Sequence, residues 1–209
     1  MGGCGPQAAD IFDERQARRD VASYRRRGLD RAARRIVDAA AGKGDVLEIG
    51  GGIGAIELEL LRRGAPRAAN VELSPAYEPF ARELLAEAGF ARRVDRRIGD
   101  VVEQPELAAP ADVVVMHRVV CCYPDMPALV GIAADKARRL LALSYPRDAW
   151  WTRLGARAVN VFMRLTGNEY RSFIHRPAAI AATAEAHGLR PATRRPGVLW
   201  QLAVFERAA

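Results

Sequence analysis

The sequence predicts an α/β fold with a doubly wound, mostly parallel sheet of seven strands. Short apolar runs alternate with longer helical patterns along most of the chain, which is typical of a parallel sheet covered by helices. A second observation is the run from Asp45 to Gly54, where a short apolar strand leads directly into four glycines. A third is a pair of apolar runs around Pro196-Gly197, which predicts a C-terminal antiparallel hairpin.

Two helices are predicted before the sheet. Residues 8–27 are polar and helical in pattern, and Gly28 interrupts them. Residues 29–41 then place alanine and aliphatic side chains on one face of a second helix.

The chain is accordingly divided into an N-terminal helical flap, residues 1–41, and a core, residues 42–209. Helices that precede an α/β core either pack statically on it or close over its ligand. In the second case Tyr24 and Arg31 would reach the ligand, and both arrangements stay open.

The run from Asp45 to Gly54 predicts a ligand-binding corner, which we call the glycine corner. Val46, Leu47 and Ile49 form a buried strand, and the glycines free the backbone to turn sharply and to approach a ligand closely. The residues that follow have a helical pattern. A strand, a glycine loop and a helix N-terminus together form a site for nucleotide-type ligands.

The remaining elements continue the alternation. Strands are predicted at residues 69–73, 94–98, 111–116 and 140–144. Helices are predicted from Ser74 to about Gly89 and at residues 127–137 and 177–187. Ser74 is expected as a helix N-cap with Pro75 in the first turn. The unbroken apolar run at 111–116 indicates a strand buried on both faces.

Residues 146–176 do not fit the alternation. Trp150, Trp151, Leu154 and Phe162 recur at near-helical spacing with arginines between them, which predicts an inserted amphipathic helix. Three interpretations stay open: a cap helix that closes the core, a lid over the substrate, or a contact with a membrane surface.

The composition is typical of one soluble domain. The chain has 209 residues, half of them apolar, and a formal net charge of +7. Only Lys43 and Lys136 are lysines, and the many arginines are spread along the chain without a basic stripe carrying interleaved aromatics. This distribution argues against a nucleic-acid partner and favours a small-molecule substrate. It does not indicate an oligomeric state.

Cysteine content and hydropathy favour a cytoplasmic protein with reduced thiols. Cys4, Cys121 and Cys122 cannot all pair, and the sequence shows neither a secretory signal nor an apolar run of membrane-spanning length. Neighbouring cysteines rarely direct both sulfur atoms at one metal, and no second Cys/His pair has zinc-ligand spacing. No metal is therefore expected.

The glycine corner alone is compatible with two kinds of cofactor. Gly50-x-Gly52-x-x-Ala55 satisfies the dinucleotide fingerprint in its alanine form, and Glu72 follows near the expected ribose-binding distance. Glu48, two residues before Gly50, instead suits a ligand that carries an ammonium group. A plain dinucleotide domain also does not require the terminal hairpin.

These residues resemble the class I S-adenosylmethionine-dependent methyltransferases over about residues 45–205. The resemblance implies a Rossmann-like methyltransferase fold, with S-adenosyl-L-methionine as cofactor and S-adenosyl-L-homocysteine as product. It implies that Glu72 accepts hydrogen bonds from the two ribose hydroxyls, and that Asp100 binds the adenine amino group. With the flap and strand-end candidates included, the expected cofactor-binding residues are Tyr24, Arg31, Glu48, Gly50, Gly52, Gly54, Glu72, Leu73, Asp100, Val101 and His117.

A narrower resemblance is to the magnesium-protoporphyrin O-methyltransferases. Residues 24–31, Tyr-Arg-Arg-Arg-Gly-Leu-Asp-Arg, look like the segment that precedes their core, and Cys122-Tyr123-Pro124 looks like their His-Tyr-Pro. The sequence departs from that pattern at Cys122, which takes the position of the family's histidine. His117 lies five residues earlier, so neither the porphyrin substrate nor a base role is carried over.

Methyl transfer from a sulfonium requires alignment of the reacting atoms and exclusion of water, and a general base only for a neutral hydroxyl or amine. His117 is the first candidate base, because residues just past the fourth strand face the ligand in open α/β sheets. A structural histidine is the alternative. Tyr123 and Tyr24 are the other catalytic candidates.

The sequence therefore predicts a methyltransferase that O-methylates a small apolar or planar acceptor. An RNA- or protein-modifying methyltransferase stays open as a second hypothesis. A NAD-dependent oxidoreductase is the third, because the glycine corner also fits a dinucleotide.

Overall fold

A computed structural model describes residues 11–208 and confirms the predicted sheet. Its strands are β1 Val46–Ile49, β2 Ala68–Glu72, β3 Val94–Ile98, β4 Ala111–His117, β5 Ala137–Pro146, β6 Leu189–Arg195 and β7 Trp200–Arg207. They form one sheet in the order β3-β2-β1-β4-β5-β7-β6. Strands β1 to β5 are parallel, and β7 is antiparallel to both β5 and β6.

Helices cover both faces of this sheet. They are α1 Glu14–Arg27, α2 Arg31–Ala40, α3 Ala55–Arg62, α4 Glu78–Glu87, α5 Met126–Lys136, α6 Trp150–Leu165 and α7 Pro177–Ala186. Helices α1 to α4 pack on one face with Val113 and Val115 of β4, while α5 and α7 pack on the other face with Val114 and Met116. The central strand β4 is thus buried on both faces, as its unbroken apolar run predicts.

Side-chain caps set the starts of the helices and shift the predicted boundaries. Asp13 accepts a hydrogen bond from the Gln16 amide, so α1 begins at Glu14, and the predicted helical residues 8–10 lie outside the described part of the chain. Asp30 caps α2 in the same way, which moves its start from 29 to 31. Ser74 accepts from the Ala76 amide as predicted, but Pro75 opens a 3₁₀ turn before α4.

The inserted segment forms α6 and an irregular stretch at residues 168–176. None of the residues of α6 is buried, and the helix contributes no residue to the buried apolar clusters on the two faces of the sheet. The cap, lid and membrane-surface interpretations of residues 146–176 stay predictions. The segment after α6, in contrast, is anchored: the Phe173 amide donates to the Cys121 carbonyl at 2.8 Å.

Candidate active site at the carboxyl edge of the sheet

A cavity of about 840 Å³ opens at the carboxyl ends of β1, β2 and β4. The strand order reverses here, because β1 has β2 on one side and β4 on the other, and ligands of open α/β sheets bind at such a switch point. The volume lies within the range of roughly 300–1,000 Å³ that is typical of small-molecule sites. Helix α1 and the start of α2 form the wall opposite the glycine corner.

Most of the predicted site residues line this one cavity. They are Tyr24, Glu48, Gly50, Gly52, Glu72, Leu73, Asp100, Val101, His117 and Tyr123. Arg31 and Gly54 do not line it. Arg31 is exposed on the first turn of α2, where its neighbours Asp30 and Arg34 reach the cavity instead. Gly54 serves as the N-cap of α3.

Two glycines of the corner have backbones that only glycine adopts readily. Gly50 has φ 67° and Gly52 has φ 55°. A Cβ atom on Gly50 would lie 2.5 Å from Cγ2 of Val119, which lies in the loop after β4 and also lines the cavity. The corner therefore allows the β1 end and the loop after β4 to approach each other closely.

Glu72 is held in place by the corner. Its Oε2 accepts from the Gly52 amide at 2.7 Å and its Oε1 from the Ser74 amide at 2.9 Å. These two bonds use half of the roughly four acceptor positions of a carboxylate. The side chain is oriented into the cavity wall with acceptor capacity left for a ligand.

Glu48 takes over the capping of α3, because its N-cap Gly54 has no side chain. The Glu48 carboxylate, 2% exposed, accepts from the Glu57 amide at 2.9 Å. Burial, and next the charge of Glu57, raise the pKa of Glu48 well above its ordinary value. The group expected to face a ligand is thus also a structural carboxyl that resists ionisation.

A buried polar ladder supports Glu48 and was not predicted. Glu48, Asn70 and Arg96 occupy matching positions on β1, β2 and β3. Glu57 accepts from the Asn70 side chain at 2.8 Å and from Arg96 at 2.7 Å, yet burial still raises the pKa of Glu57. Arg96 also donates to the Gly52 carbonyl at 2.8 Å and so fixes the glycine corner. The sequence signal that could have predicted this ladder is the presence of one polar residue within each of three short strands.

Asp100 and Tyr123 form a pair in the cavity wall. The Tyr123 hydroxyl donates to both Asp100 oxygens, at 3.1 and 3.2 Å, and the Val102 amide donates to Asp100 at 2.8 Å. This arrangement holds the carboxylate in one orientation. The geometry favours Tyr123 as a positioning residue for Asp100.

Tyr24 lines the cavity with its ring while its hydroxyl is held by α3. The hydroxyl donates to Glu59 at 2.6 Å and accepts from Arg62 at 2.9 Å. Burial, and next the hydrogen bond to Glu59, raise the pKa of Tyr24 well above its ordinary range. A phenol in this state is a poor proton acceptor near neutral pH.

His117, at the end of β4, lies between a hydroxyl and a carboxylate. Its Nδ1 is 2.7 Å from the Ser144 hydroxyl, which itself accepts from the Arg118 amide at 3.2 Å. The hydroxyl keeps a second acceptor position, so Nδ1 donates to it in one tautomer of the imidazole and accepts from it in the other. Nε2 lies 3.3 Å from Asp30 Oδ2.

Asp30 joins α2 to this site and was missed as a site residue. It caps α2 and contacts the Arg118 guanidinium at 2.6 Å. Burial opposes its ionisation, but the hydrogen bond with His117, the Ala33 amide and the charge of Arg118 prevail, and its pKa lies well below the ordinary value. The sequence signal that could have identified Asp30 as a site residue is its position within the segment 24–31.

Arg118 connects these groups to the C-terminal hairpin. It has φ 62°, a left-handed conformation that is uncommon for a side-chain-bearing residue. Its guanidinium stacks 4.6 Å from the ring centre of Trp200, the first residue of β7. Arg118, which lines the cavity, thus links the helix cap at Asp30 to the C-terminal hairpin behind the cavity wall.

Comparison with known proteins places the chain in context. A family model described as a methyltransferase domain matches residues 21–193. No curated protein sequence matches the chain. Among solved structures, an O-methyltransferase family protein from Burkholderia thailandensis is similar at 18% identity and a TM-score of 0.69, over 87% of this chain and 58% of that one.

Two further structures share the fold. Magnesium protoporphyrin IX methyltransferase from Synechocystis PCC 6803, solved with bound SAH, is similar at 16% identity and a TM-score of 0.63, over 96% of this chain and 85% of that one. An O-methyltransferase family 2 protein from Planctomyces limnophilus DSM 3776, solved in complex with apigenin, is similar at 18% identity and a TM-score of 0.68, over 93% and 62%. The chain spans less than two thirds of the Burkholderia and Planctomyces proteins.

Proposed function

The chain belongs to the methyltransferase domain family, and from that premise we propose that it transfers the methyl group of S-adenosyl-L-methionine to an oxygen of a small apolar or planar acceptor in the cytoplasm. One observation carries the proposal. The carboxylates of Glu72 and Asp100, each oriented by neighbouring donors, line the same cavity as the glycine corner.

The residues present fit this cofactor chemically. Glu72 keeps acceptor positions for vicinal hydroxyls, and Asp100 can accept from an exocyclic amino group. Glu48 offers a carboxyl to an ammonium group, whose positive charge would favour the ionised form that burial disfavours. The SAH bound to the Synechocystis neighbour agrees with this assignment.

When bound, S-adenosyl-L-methionine supplies a sulfonium-linked methyl group that passes to a nucleophile by in-line displacement. The chain's own contribution is alignment and exclusion of water, for which α1 and the start of α2 cover the cavity. A base role for His117 requires the tautomer in which Nδ1–H donates to the Ser144 hydroxyl and leaves Nε2 unprotonated. The acceptor hydroxyl would then take the place of Asp30 beside Nε2 and give its proton to that nitrogen. Asp30, held ionised, would then stabilise the imidazolium.

The acceptor is proposed to be apolar because aliphatic and aromatic side chains make up much of the cavity wall. Phe12, Leu29, Ile53, Tyr77 and Val119 line it together with the polar groups. The Planctomyces neighbour was solved in complex with apigenin, a planar aromatic molecule, which supports a planar acceptor. An acceptor that is already anionic would need no base.

Isothermal titration calorimetry tests the proposal. We expect micromolar binding of S-adenosyl-L-methionine and S-adenosyl-L-homocysteine, and a loss of roughly tenfold or more in affinity for Asp100→Asn, which keeps the acceptor of the Tyr123 bond. Glu185→Ala, an exposed acid on α7, is the matched control. Absence of heat and of a thermal shift with both ligands would refute the proposal.

Two other ligands separate the alternative functions. A thermal shift with NAD, and none with S-adenosyl-L-methionine, would select the oxidoreductase. Binding of RNA with a steep dependence on salt would select a macromolecular substrate. RNA binding is not expected, because the arginines form no continuous stripe along the sequence. A shift with NAD is not expected, because Glu48 and the terminal hairpin are features that a plain dinucleotide domain does not require.

A further inference from the structure

Helix α6 turns its most apolar face away from the protein. Its partly covered residues, spaced three or four apart, are Thr152, Ala156, Asn160 and Met163. The large apolar residues on the other side are exposed, Leu165 to 81% and Trp150 to 73%, and the same face carries Leu154, Val161 and Phe162. A surface helix of a globular protein normally has the reverse arrangement.

Positive charge flanks this exposed face. Arg153, Arg157 and Arg164 lie at one edge of it, and α6 contains no acidic residue. Asp148, just before the helix, pairs with Arg153 at 2.6 Å. Within residues 11–208, Arg157 and Arg164 form no ion pair, so the edge keeps an excess of positive charge.

The hairpin tip extends the same surface. Val198 is 76% exposed, and Leu199 next to it is 56% exposed. The Arg147 amide donates to the Leu199 carbonyl at 2.8 Å, which holds the tip beside the start of α6. We call the exposed face of α6 and the tip at 198–199 the docking surface.

We infer that the docking surface rests on an anionic lipid bilayer, with α6 lying in the plane of the interface. Trp, Phe and Leu side chains gain free energy when they enter the headgroup boundary, and arginines beside them meet lipid phosphates. Within residues 11–208 no helix is both long enough and apolar enough to cross a bilayer, so the contact is peripheral.

Charge distinguishes this occupant from a second copy of the chain. A two-fold contact would bring identical patches together. Such a contact would gather the arginines of both α6 helices at one interface, and no acidic side chain of either helix could neutralise them. An anionic bilayer can bind both parts of the surface: its headgroup boundary takes up the apolar face, and its phosphates neutralise the positive edge.

The docking surface is linked to the cavity by hydrogen bonds. The Asn160 side chain donates to the Ser172 carbonyl at 2.9 Å and accepts from the Ser172 amide at 2.7 Å. The same segment reaches the cavity wall, where His175 Nε2 lies 3.2 Å from the Tyr123 carbonyl. If the proposed function holds, an apolar acceptor dissolved in the bilayer would enter the cavity from this side.

Co-sedimentation with vesicles tests the inference on the full chain. We expect binding to phosphatidylcholine vesicles containing phosphatidylglycerol, little binding to pure phosphatidylcholine, and a blue shift of tryptophan fluorescence, since all three tryptophans, at 150, 151 and 200, lie at or beside the docking surface. Val161→Glu should lower the partition coefficient about tenfold. Val159→Glu, on another side of α6, is the matched control and should bind as the wild type does.

The double variant Arg157→Gln/Arg164→Gln tests the electrostatic part. It should bind anionic vesicles about 25-fold more weakly at low salt, about fivefold for each charge. Absence of wild-type binding to anionic vesicles, or equal binding of Val161→Glu and Val159→Glu, would overturn the inference. So would a wild-type dimer in sedimentation velocity that Val161→Glu dissociates. Because none of these measurements uses the cofactor, their failure is independent of the calorimetry of the proposed function.

Discussion

Replacing Gly50 with alanine perturbs the glycine corner at a single atom. The new Cβ would lie 2.5 Å from Cγ2 of Val119, and Cγ1 and Cβ of the same valine would also be within 3.5 Å. Gly89→Ala is the matched control, because Gly89 has a similar φ of 77° but nothing within 4 Å of the added atom. The two variants therefore share the backbone strain and differ in the clash.

The expected magnitudes follow from these contacts. An alanine in the left-handed conformation costs about 1–2 kcal/mol. Alanine also lowers the conformational entropy of the unfolded chain, which stabilises the protein by about 0.4–1 kcal/mol. Gly89→Ala should therefore lower the free energy of unfolding by about 1 kcal/mol. The clash adds about 1–3 kcal/mol for Gly50→Ala, which gives a loss of about 2–4 kcal/mol. For a chain of this size that is a fall in Tm of about 5–10 °C.

A double-mutant cycle with Val119→Ala isolates the clash. In the Val119→Ala background, Gly50→Ala should cost only about 1 kcal/mol in urea unfolding, like Gly89→Ala. Calorimetry on Gly50→Ala should show weaker cofactor binding, because Val119 is displaced from the cavity wall. Equal destabilisation by Gly50→Ala and Gly89→Ala, or additivity in the cycle, would refute the close approach of the glycine corner to the loop after β4.

Three further variants address the side chains of the site. Tyr24→Phe should lower the free energy of unfolding by about 1 kcal/mol and keep kcat within about threefold of the wild type. A fall in kcat of roughly a hundredfold in a methyl-transfer assay would instead indicate that the hydroxyl acts as a base. Asp30→Asn keeps the helix cap but loses a carboxylate whose pKa is lowered by folding. The variant should be about 1 kcal/mol less stable at pH 7. The difference should shrink as the pH falls from about 4 toward the lowered pKa of the folded state, and a constant difference in urea titrations would contradict this. Glu48→Gln removes a carboxyl whose pKa is raised by folding. The free energy of unfolding of the variant should equal that of the wild type near pH 4 and exceed it by at least about 1 kcal/mol at pH 8. A stability gain seen only at acid pH would contradict the raised pKa.

The fold was predictable because its strongest signals are local. Buried parallel strands appear as short apolar runs, and residues 94–98 and the run at 111–116 match β3 and β4 within one residue. Boundaries were less predictable where a side chain decides them, as at the cap of α2 by Asp30. The face of α6 could not be predicted, because an apolar stripe usually indicates the buried side.

The site was predictable where a role follows from chain position. Glu72 and Asp100 come directly after strands, and the carboxyl ends of parallel strands meet at one edge of the sheet. The roles of Tyr24 and Tyr123 depend on which neighbour holds the hydroxyl, and spacing does not contain that information. The same holds for Arg96, whose partners Glu57 and Gly52 come from elements that only the tertiary structure brings together.

The position of Arg118 has a consequence for the order in which the protein acquires its structure. Its guanidinium is bonded to Asp30, 88 residues away, and stacks on Trp200 of the strand that inserts between β5 and β6. Contacts of such sequence separation form late, because loop closure must precede their stabilisation. A folding intermediate that contains β1 to β5 would hold the glycine corner but lack Trp200, the stacking partner of Arg118 in the cavity wall. Full affinity for the ligand should therefore appear in refolding only with the last phase, in which the hairpin docks and fixes Arg118.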